Sequence, residues 1–448
     1  MKKLSSILLS LCAIVFLAGC EEKVITMDGS ADARVDAMIK SYIDELASAE
    51  HGWIADVMTD EGYYRFYMTF TEDNKVTMYT DNINFPALNG VPKTSTFNIR
   101  SLQRPTLSFD TYSYLTIIND PDNTISGGSG NMGLGTDFEF EIDGYADGVF
   151  SLTGRVNRVD ASLRKATAEE ETSIKAGGLM SVLVDVITYK QGLNCHFPVG
   201  DAQVNVLFNG RSNTFFYVDE SGNVTETTSF VQIEQNKNID LVEPVVIAGK
   251  TITGFAWNAE TQVYSAVIDG AEVVVEEQVD PVFPLHQMLG PGKLYTIMQT
   301  IVQMFPSTAQ ADNQFGYHMV SAYTFLAQRF GLALSVVQLE FTTSESGQPR
   351  LIVMWQVGRF LGYFTYYLTF NEEEDQFTIT QMTFEDDSIG NGQVFYQGAA
   401  KTFADFWVGK TFKIEWTPVT FGSYVMGQLT LVDDGGMPAE WYGALFSE

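Results

Sequence analysis

The stretch Tyr64-Arg65-Phe66-Tyr67-Met68-Thr69-Phe70 decides how the rest of the chain is read. Tyr64, Phe66, Met68 and Phe70 fall at every second position, so they share one face of a strand and Arg65, Tyr67 and Thr69 share the other. Glu72-Asp73-Asn74 makes a turn, and Lys75 to Thr80 returns as the partner strand. Further strands are expected over Thr94 to Ser101, Pro105 to Asp110, Tyr114 to Ile118, Asp137 to Ile142 and Val149 to Val156, separated by clusters of Gly, Asn, Asp and Pro. About seven antiparallel strands of this length predict a curled sheet or barrel-like half-shell in place of a parallel sheet.

Outward from this core, Ser30 is placed to cap a helix whose apolar residues Val35, Met38, Ile39, Tyr42 and Leu46 recur at three and four, and Gly52 ends it. Thr167-Ala168-Glu169-Glu170 fits a capping box that opens a second helical stretch, weakened at Gly177-Gly178. The acidic run Glu169 to Glu171 reads as its solvated first turn. A second β segment runs from Val204 through Phe215-Phe216-Tyr217, the turn Glu220-Ser221-Gly222-Asn223, Val245 to Ile247, Ile252 to Trp257 and Val263 to Ile268. Prolines and glycines cluster from Pro281 to Pro291, which marks a boundary, and helices are expected over Leu294 to Phe305 and Tyr317 to Phe330.

The last segment echoes the first. Tyr67-Met68-Thr69-Phe70-Thr71-Glu72 returns as Tyr367-Leu368-Thr369-Phe370-Asn371-Glu372, and each module opens with helix and closes with a hairpin, Phe138 to Gly154 or Thr411 to Val432. The expected class is α+β, mainly β: antiparallel meander or barrel-like β modules with a few flanking helices.

The chain has 448 residues, 45% of them hydrophobic and 13% aromatic, enough for two or three domains with substantial cores. Its 56 acids against 26 bases leave a net charge of -30, which argues against nucleic acid and against peripheral binding to anionic lipid. The same acidity suits cationic ligands, and solubility explains it equally well.

At the N-terminus, Lys2 and Lys3 precede an apolar run from Ile7 to Ala18 broken only by Ser10, shorter than the roughly 20 residues a bilayer requires. Leu17-Ala18-Gly19-Cys20 resembles the lipobox of bacterial lipoproteins. The resemblance implies that Cys20 is the lipid attachment site, its thiol diacylated (palmitate), with the signal removed before it and the new N-terminus acylated. Two or three acyl chains make an essentially stable anchor. Glu21 and Glu22 resemble the acidic export signal of Bacteroidota lipoproteins, which implies the outer membrane with the chain facing the cell exterior. Of the three cysteines, Cys12 leaves with the signal and Cys20 takes lipid, so Cys195 has no partner for a disulfide and stability comes from packing. The expected organisation is therefore residues 1–19 as signal peptide, 20–30 as lipidated N-terminus and linker, 31–158 as the first helix and β module, 159–280 as helix and second β segment, and 281–448 as C-terminal helices and the related β module.

Motifs for chemistry are weak. Gly128-Ser129-Gly130-Asn131-Met132-Gly133 spells G-x-G-x-x-G, but it leads into the alternating strand Asp137-Phe138-Glu139-Phe140 and no helix N-terminus waits to hold a pyrophosphate, so nucleotide binding is rejected. Asp120-Pro121-Asp122-Asn123 lacks the glycine and distal glutamate of a calcium loop and reads as a turn. Glu372-Glu373-Glu374-Asp375 reads as a solvated hairpin tip. His51, His196, His286 and His318 show no metal-ligand spacing, and Cys195 and His196, adjacent on a strand, point to opposite faces and cannot form a catalytic pair. No G-x-S-x-G elbow occurs. Six tryptophans, Trp53, Trp257, Trp355, Trp407, Trp416 and Trp441, are candidates for sugar stacking, with core positions favoured for most. No catalytic residue, metal or cofactor is assigned.

With the lipobox, the helix running into Ser48-Ala49-Glu50-His51-Gly52-Trp53, the Gly135 to Phe140 strand followed by Val149 to Gly154, and Gly390-Asn391-Gly392 with the Phe403 to Trp416 segment, the chain resembles a family of Bacteroidota outer-membrane lipoproteins of unknown function. Such proteins are commonly encoded near SusC/SusD-type uptake pairs. The resemblance implies attachment to the membrane through the N-terminal lipid, a SusC/SusD-type complex as partner, and a glycan or peptide as ligand. The leading reading is a non-catalytic, lipid-anchored binding or accessory component of nutrient uptake. Alternatives are a surface hydrolase with carboxylates drawn from distant strands, and a structural or adhesive surface component.

Overall fold

The computed structural model describes residues 30–128, 132–189, 195–278, 281–301, 313–371, 375–398, 400–419, 424–432 and 435–447. The readings of residues 1–29, Cys20 among them, of residues 129–131 and of Glu372 to Glu374 lie outside the described residues. The structure is mainly β, with three antiparallel sheets curled into closed or nearly closed barrels. By contacts it divides into two compact units, one of the described residues up to Met58 with Arg65–Tyr79 and Val91–Thr172, the other of Thr59–Tyr64, Thr80–Gly90 and Ser173 onward.

The first sheet comprises β1 (Trp53–Thr59), β2 (Gly62–Phe70), β3 (Lys75–Thr80), β4 (Lys93–Ser101), β5 (Pro105–Phe109), β6 (Glu139–Ala146), β7 (Val149–Gly154) and β8 (Asp160–Lys165). They follow in sequence order, and β1 pairs with β8 from Trp53 opposite Lys165 to Val57 opposite Ala161, closing a barrel. The expected half-shell is thus completed by two further strands, β1 and β8, the second of which lies beyond the boundary set at residue 158. Tyr64, Phe66, Met68 and Phe70 are buried as their period requires. On β6 the same alternation turns Phe140 and Ile142 inward and leaves Glu139, Glu141 and Asp143 to meet Arg155, Arg158 and Arg104 at 2.9, 3.1 and 2.6 Å.

Tyr114–Ile118, expected as a strand, is a five-residue helix. Its β-branched residues suit a strand, but Ser113 and Thr116 form both bonds of a capping box, and a local side chain-to-backbone bond outweighs a weak propensity. The helix Ala31–Ser48 starts as expected, with Ser30 Oγ accepting from the Ala33 amide at 3.2 Å. Its apolar stripe is only half-buried until Leu46, whose carbonyl accepts the Trp53 indole N–H at 2.8 Å. Gly52 turns the chain into β1 at φ +71°, where a Cβ would lie 2.7 Å from the Met68 carbonyl oxygen, so glycine alone fits.

The capping box at Thr167 forms in full: the Glu170 amide donates to Thr167 Oγ1 and the Thr167 amide to Glu170 Oε2. The helical stretch breaks at Gly177, φ +94°, into Ala168–Lys175 and Gly178–Ile187. The second sheet follows: β9 (Cys195–Val199), β10 (Ala202–Phe208), β11 (Ser212–Val218), β12 (Val224–Ile233), β13 (Ile239–Ile247), β14 (Lys250–Asn258), β15 (Val263–Ile268), β16 (Ala271–Val274) and β17 (Glu276–Glu277). β16 pairs with β15 while β17, one residue further on, pairs with β9. One stretch of chain therefore bonds both edges of the sheet, and edge strands are covered.

The third sheet comprises β18 (Ile297–Ile301), β19 (Leu334–Thr343), β20 (Pro349–Val357), β21 (Phe360–Asn371), β22 (Gln376–Thr383), β23 (Thr411–Trp416), β24 (Met426–Leu431) and β25 (Glu440–Phe446), closed between β18 and β25. β18 overturns the helix expected from Leu294, whose residues 302–305 lie outside the described residues. Met298 and Thr300 are fully buried at alternate positions, and the strand bonds β19 on one side and β25 on the other. The expected Tyr317 to Phe330 helix is present as Gln314–Phe330. It turns Phe315, Met319, Ala322 and Leu326 into the core, where the Phe315 ring lies 4.6 Å from Trp407, 5.1 Å from Phe406 and 5.4 Å from Trp441.

The first and third sheets share a plan: eight strands in order, with short helices between the fifth and sixth. The hairpins singled out from sequence occupy the sixth and seventh places in both, and an eighth strand follows each. The echo of Tyr67 to Glu72 by Tyr367 to Glu372 does not match this plan, since it falls on the second strand of one barrel and the fourth of the other. Alternating aromatic strands repeat because both must fill a barrel.

Candidate functional site

The barrels are packed with side chains. The middle sheet encloses Phe197, Phe208, Phe215, Phe255 and Tyr264, and the C-terminal one encloses Trp355, Phe377, Phe412 and Trp441. A cleft of about 470 Å³ lies in the first unit, within the size range of ligand sites. Residues on the helix Ala31–Ser48 at spacings of three and four line one side of it, and Glu72 and Asn74, in the turn after β2, line the other. Ile39 and Ile43 supply apolar surface, Asp36 and Glu72 supply carboxylates, and Lys40 Nζ pairs with Asp44 at 2.7 Å. Such a lining can accept hydroxyl or ammonium donors around a small apolar patch. The sequence reading places Ile39 in a helix stripe and Glu72 and Asn74 in a turn, and does not bring them together as a site. The signal was there in Asp36, Lys40 and Asp44 at i, i+4 and i+8, but every solvated helix shows such spacing.

The histidines are dispersed. His51 Nδ1 lies 2.8 Å from Glu171 Oε2, an arrangement that orients an imidazole. Burial, with the Glu171 carboxylate beside it, pushes the neighbouring Tyr67 phenol above the ordinary range. Among the described residues no serine, threonine or cysteine is hydrogen-bonded to His51. His286 Nδ1 lies 3.0 Å from Asp375 Oδ1, and His196 Nε2 lies 3.8 Å from Glu276. Burial against the ring of Phe406 lowers the pKa of His318. Cys195 is fully buried among the core of the middle sheet while His196 points to the other face, as strand alternation demands. Among the described residues no three His, Cys, Asp or Glu side chains converge to hold a metal ion.

Trp53, Trp355, Trp407 and Trp441 are fully buried, so they are not stacking platforms. Trp416 donates its indole N–H to the Phe283 carbonyl at 2.8 Å, and half-buried Trp257 lies under Lys237 Nζ at 5.0 Å. The stretch expected as a turn from Asp120 to Asn123 turns at Asp120, whose carboxylate accepts from the Asp122 amide, and runs into the short helix Asn123–Ser126 that Asp122 caps. Among the described residues no helix is long and apolar enough to cross a membrane.

Fold and site together define an antiparallel β-barrel protein with side-chain-filled cores and a surface cleft. The chain belongs to the family described as "Domain of unknown function (DUF4302)", whose profile matches residues 26–259. The comparison with curated proteins gave no match. Among solved structures, the chain is similar to the β subunit of DNA polymerase III from Thermotoga maritima, at 11% identity over 92% of this chain and 98% of that one with a TM-score of 0.12. It is also similar to a DUF3598-family protein of unknown function from Nostoc punctiforme, at 6% identity over 59% and 96% with a TM-score of 0.14. At these TM-scores neither likeness carries an argument about this chain.

Proposed function

We propose that this chain is a lipid-anchored protein of the outer membrane, facing the cell exterior, that serves as a non-catalytic binding or accessory component of a nutrient-uptake system. The observation that carries the reading is the ordered run of Lys2-Lys3, the apolar stretch Ile7 to Ala18, Leu17-Ala18-Gly19-Cys20 and Glu21-Glu22. A SusC/SusD-type complex is the proposed partner. The cleft beside Asp36 and Glu72 is the proposed place for a glycan or peptide ligand, because the barrel interiors are occupied by their own side chains. Apolar surface flanked by a few acceptors suits a sugar face with its hydroxyls.

Metabolic labelling with palmitate in a Gram-negative host tests the anchor. The native chain is expected to carry label, float with outer membranes and be cut by protease added to intact cells, and Cys20→Ser is expected to lose the label. Label retained in Cys20→Ser overturns the lipid assignment. For the ligand, the full chain is applied to glycan and peptide arrays, and Asp36→Ala with Glu72→Ala is expected to weaken the strongest signal at least tenfold. Steady turnover of any arrayed compound would replace the binding role with an enzymatic one.

A further inference from the structure

The chain carries one acid for every eight residues, 56 in 448, and 313–339, 346–371 and 388–404 are among the stretches that hold none. The fold brings parts of all three to one corner of the C-terminal barrel. The end of the helix Gln314–Phe330 contributes Phe325, Arg329 and Phe330, with the two rings 6.1 Å apart. Just past it, the Gly358 amide donates to the Ala333 carbonyl at 3.0 Å, which sets the β20–β21 turn with Arg359, Phe360 and Leu361 alongside. Asn391 Nδ2 donates to the Leu361 carbonyl at 2.8 Å and thereby adds Ile389 and Val394.

The large apolar side chains of this corner face solvent. Ile389 is 76% exposed, Val394 66% and Phe330 58%, and Phe325, Phe360 and Leu361 are exposed as well. Soluble chains rarely group so many exposed large apolar side chains. The two cations among them, Arg329 and Arg359, have no carboxylate partner among the described residues, and the Arg359 guanidinium lies 5.3 Å from the Phe360 ring centroid. The acids that precede Ile389 in sequence are all bonded, Glu385 to Arg350 and Tyr367, Asp386 to Arg350 and Thr365, and the buried Asp387 to the amides of Gly392 and Gln393 within the corner itself.

We propose that this corner docks on a phospholipid surface, with Arg329 and Arg359 on headgroup phosphates and Phe330, Phe360, Leu361, Ile389 and Val394 set into the interface. A planar guanidinium matches phosphate oxygens, and aromatic and aliphatic side chains enter the headgroup region about 5–10 Å deep. The choice of lipid over protein follows from shape and charge. A fluid interface takes exposed apolar side chains together with the two guanidinium groups as they stand. The chain-wide charge opposes anionic membranes, and a corner whose named exposed residues include no acid is where that repulsion is weakest. The contact is independent of the acyl chains proposed at Cys20.

The test uses the full chain carrying Cys20→Ser and an environment-sensitive fluorescent amino acid at position 389, or at position 221 in a control. Vesicles of phosphatidylcholine with one quarter phosphatidylglycerol and doxyl-labelled acyl chains are added. Fluorescence at 389 is expected to shift to the blue and be quenched at least twofold, with no change at 221. Arg329→Ala with Arg359→Ala is expected to cut vesicle binding at least threefold, and Phe360→Ser with Leu361→Ser to abolish the quenching, both with unchanged melting temperatures. Vesicle association with 389 still in water overturns this contact and leaves the lipid anchor standing. A blue shift that follows protein concentration without vesicles assigns the corner to a second copy and equally overturns it.

Discussion

Arg211 and Asp81, 130 positions apart, meet through two parallel bonds of 3.1 Å, guanidinium to carboxylate. The Tyr64 ring lies against the same guanidinium at 3.4 Å, and both charged side chains are about one-tenth exposed. This buried fork gathers Thr59–Tyr64 and Thr80–Gly90 into the second compact unit.

Removing one partner leaves the other charge buried and alone, so Arg211→Ala is expected to destabilise by about 3–5 kcal/mol. Arg211→Met combined with Asp81→Leu is expected to lose less than either single truncation, because no orphan charge remains. Urea unfolding checks both, and a silent Arg211→Ala would remove the pair from the account of the fold.

Phe315 is the centre of the C-terminal core, with Phe403, Phe406, Trp407, Phe412 and Trp441 around it. Phe315→Ala is expected to cost about 3–5 kcal/mol, and Phe315→Leu appreciably less because most of the volume is kept. Near-ultraviolet circular dichroism should lose tryptophan signal in the first and retain it in the second.

Glu226, opposite Phe216 in the β11–β12 ladder, has its carboxyl pKa raised by burial, and the same carboxylate helps push the Tyr295 phenol up. A raised folded-state pKa contributes stability that is complete below the unfolded value and lost as pH rises through the folded one. Glu226→Gln is therefore expected to melt higher than the native chain at pH 7. The gain is expected to vanish below about pH 4, where an unfolded glutamate is itself protonated.

The opposite sign holds at Glu170. Burial opposes its ionisation, but bonds from Arg164 and the Thr167 amide outweigh that and hold its pKa below the usual carboxylate range. Glu385 is held down by Arg350 and Tyr367. Stability from these groups is present above the unfolded glutamate value of about 4.3 and lost as pH falls through the folded ones. Urea midpoints are expected to drop below about pH 4, and Glu170→Gln to flatten that drop while lowering stability at pH 7.

Local signals were legible wherever neighbours in the chain supply the energy. Ser30 caps its helix, Thr167 and Glu170 close their box, Gly177 breaks the helical stretch, and Tyr64 to Phe70 alternate into the core. Tyr114–Ile118 was misread because a single cap overrode β-branched composition, and Ile297–Ile301 because alternation over five residues is too short to tell from a buried helix. The cleft at Asp36 and Glu72 was invisible, since its two sides come from different elements.

The sequence by itself determined the mainly β class, the inward face of each long strand and the helix caps, because these depend on side-chain period and on bonds spanning three or four residues. Tertiary structure alone decided that the sheets close, that four tryptophans vanish into cores, that Arg211 finds Asp81, and that three acid-free stretches meet at one corner. Closure and convergence join residues a hundred or more positions apart. Which distant groups meet depends on how far each sheet curls, a property of all its strands together and of no one stretch.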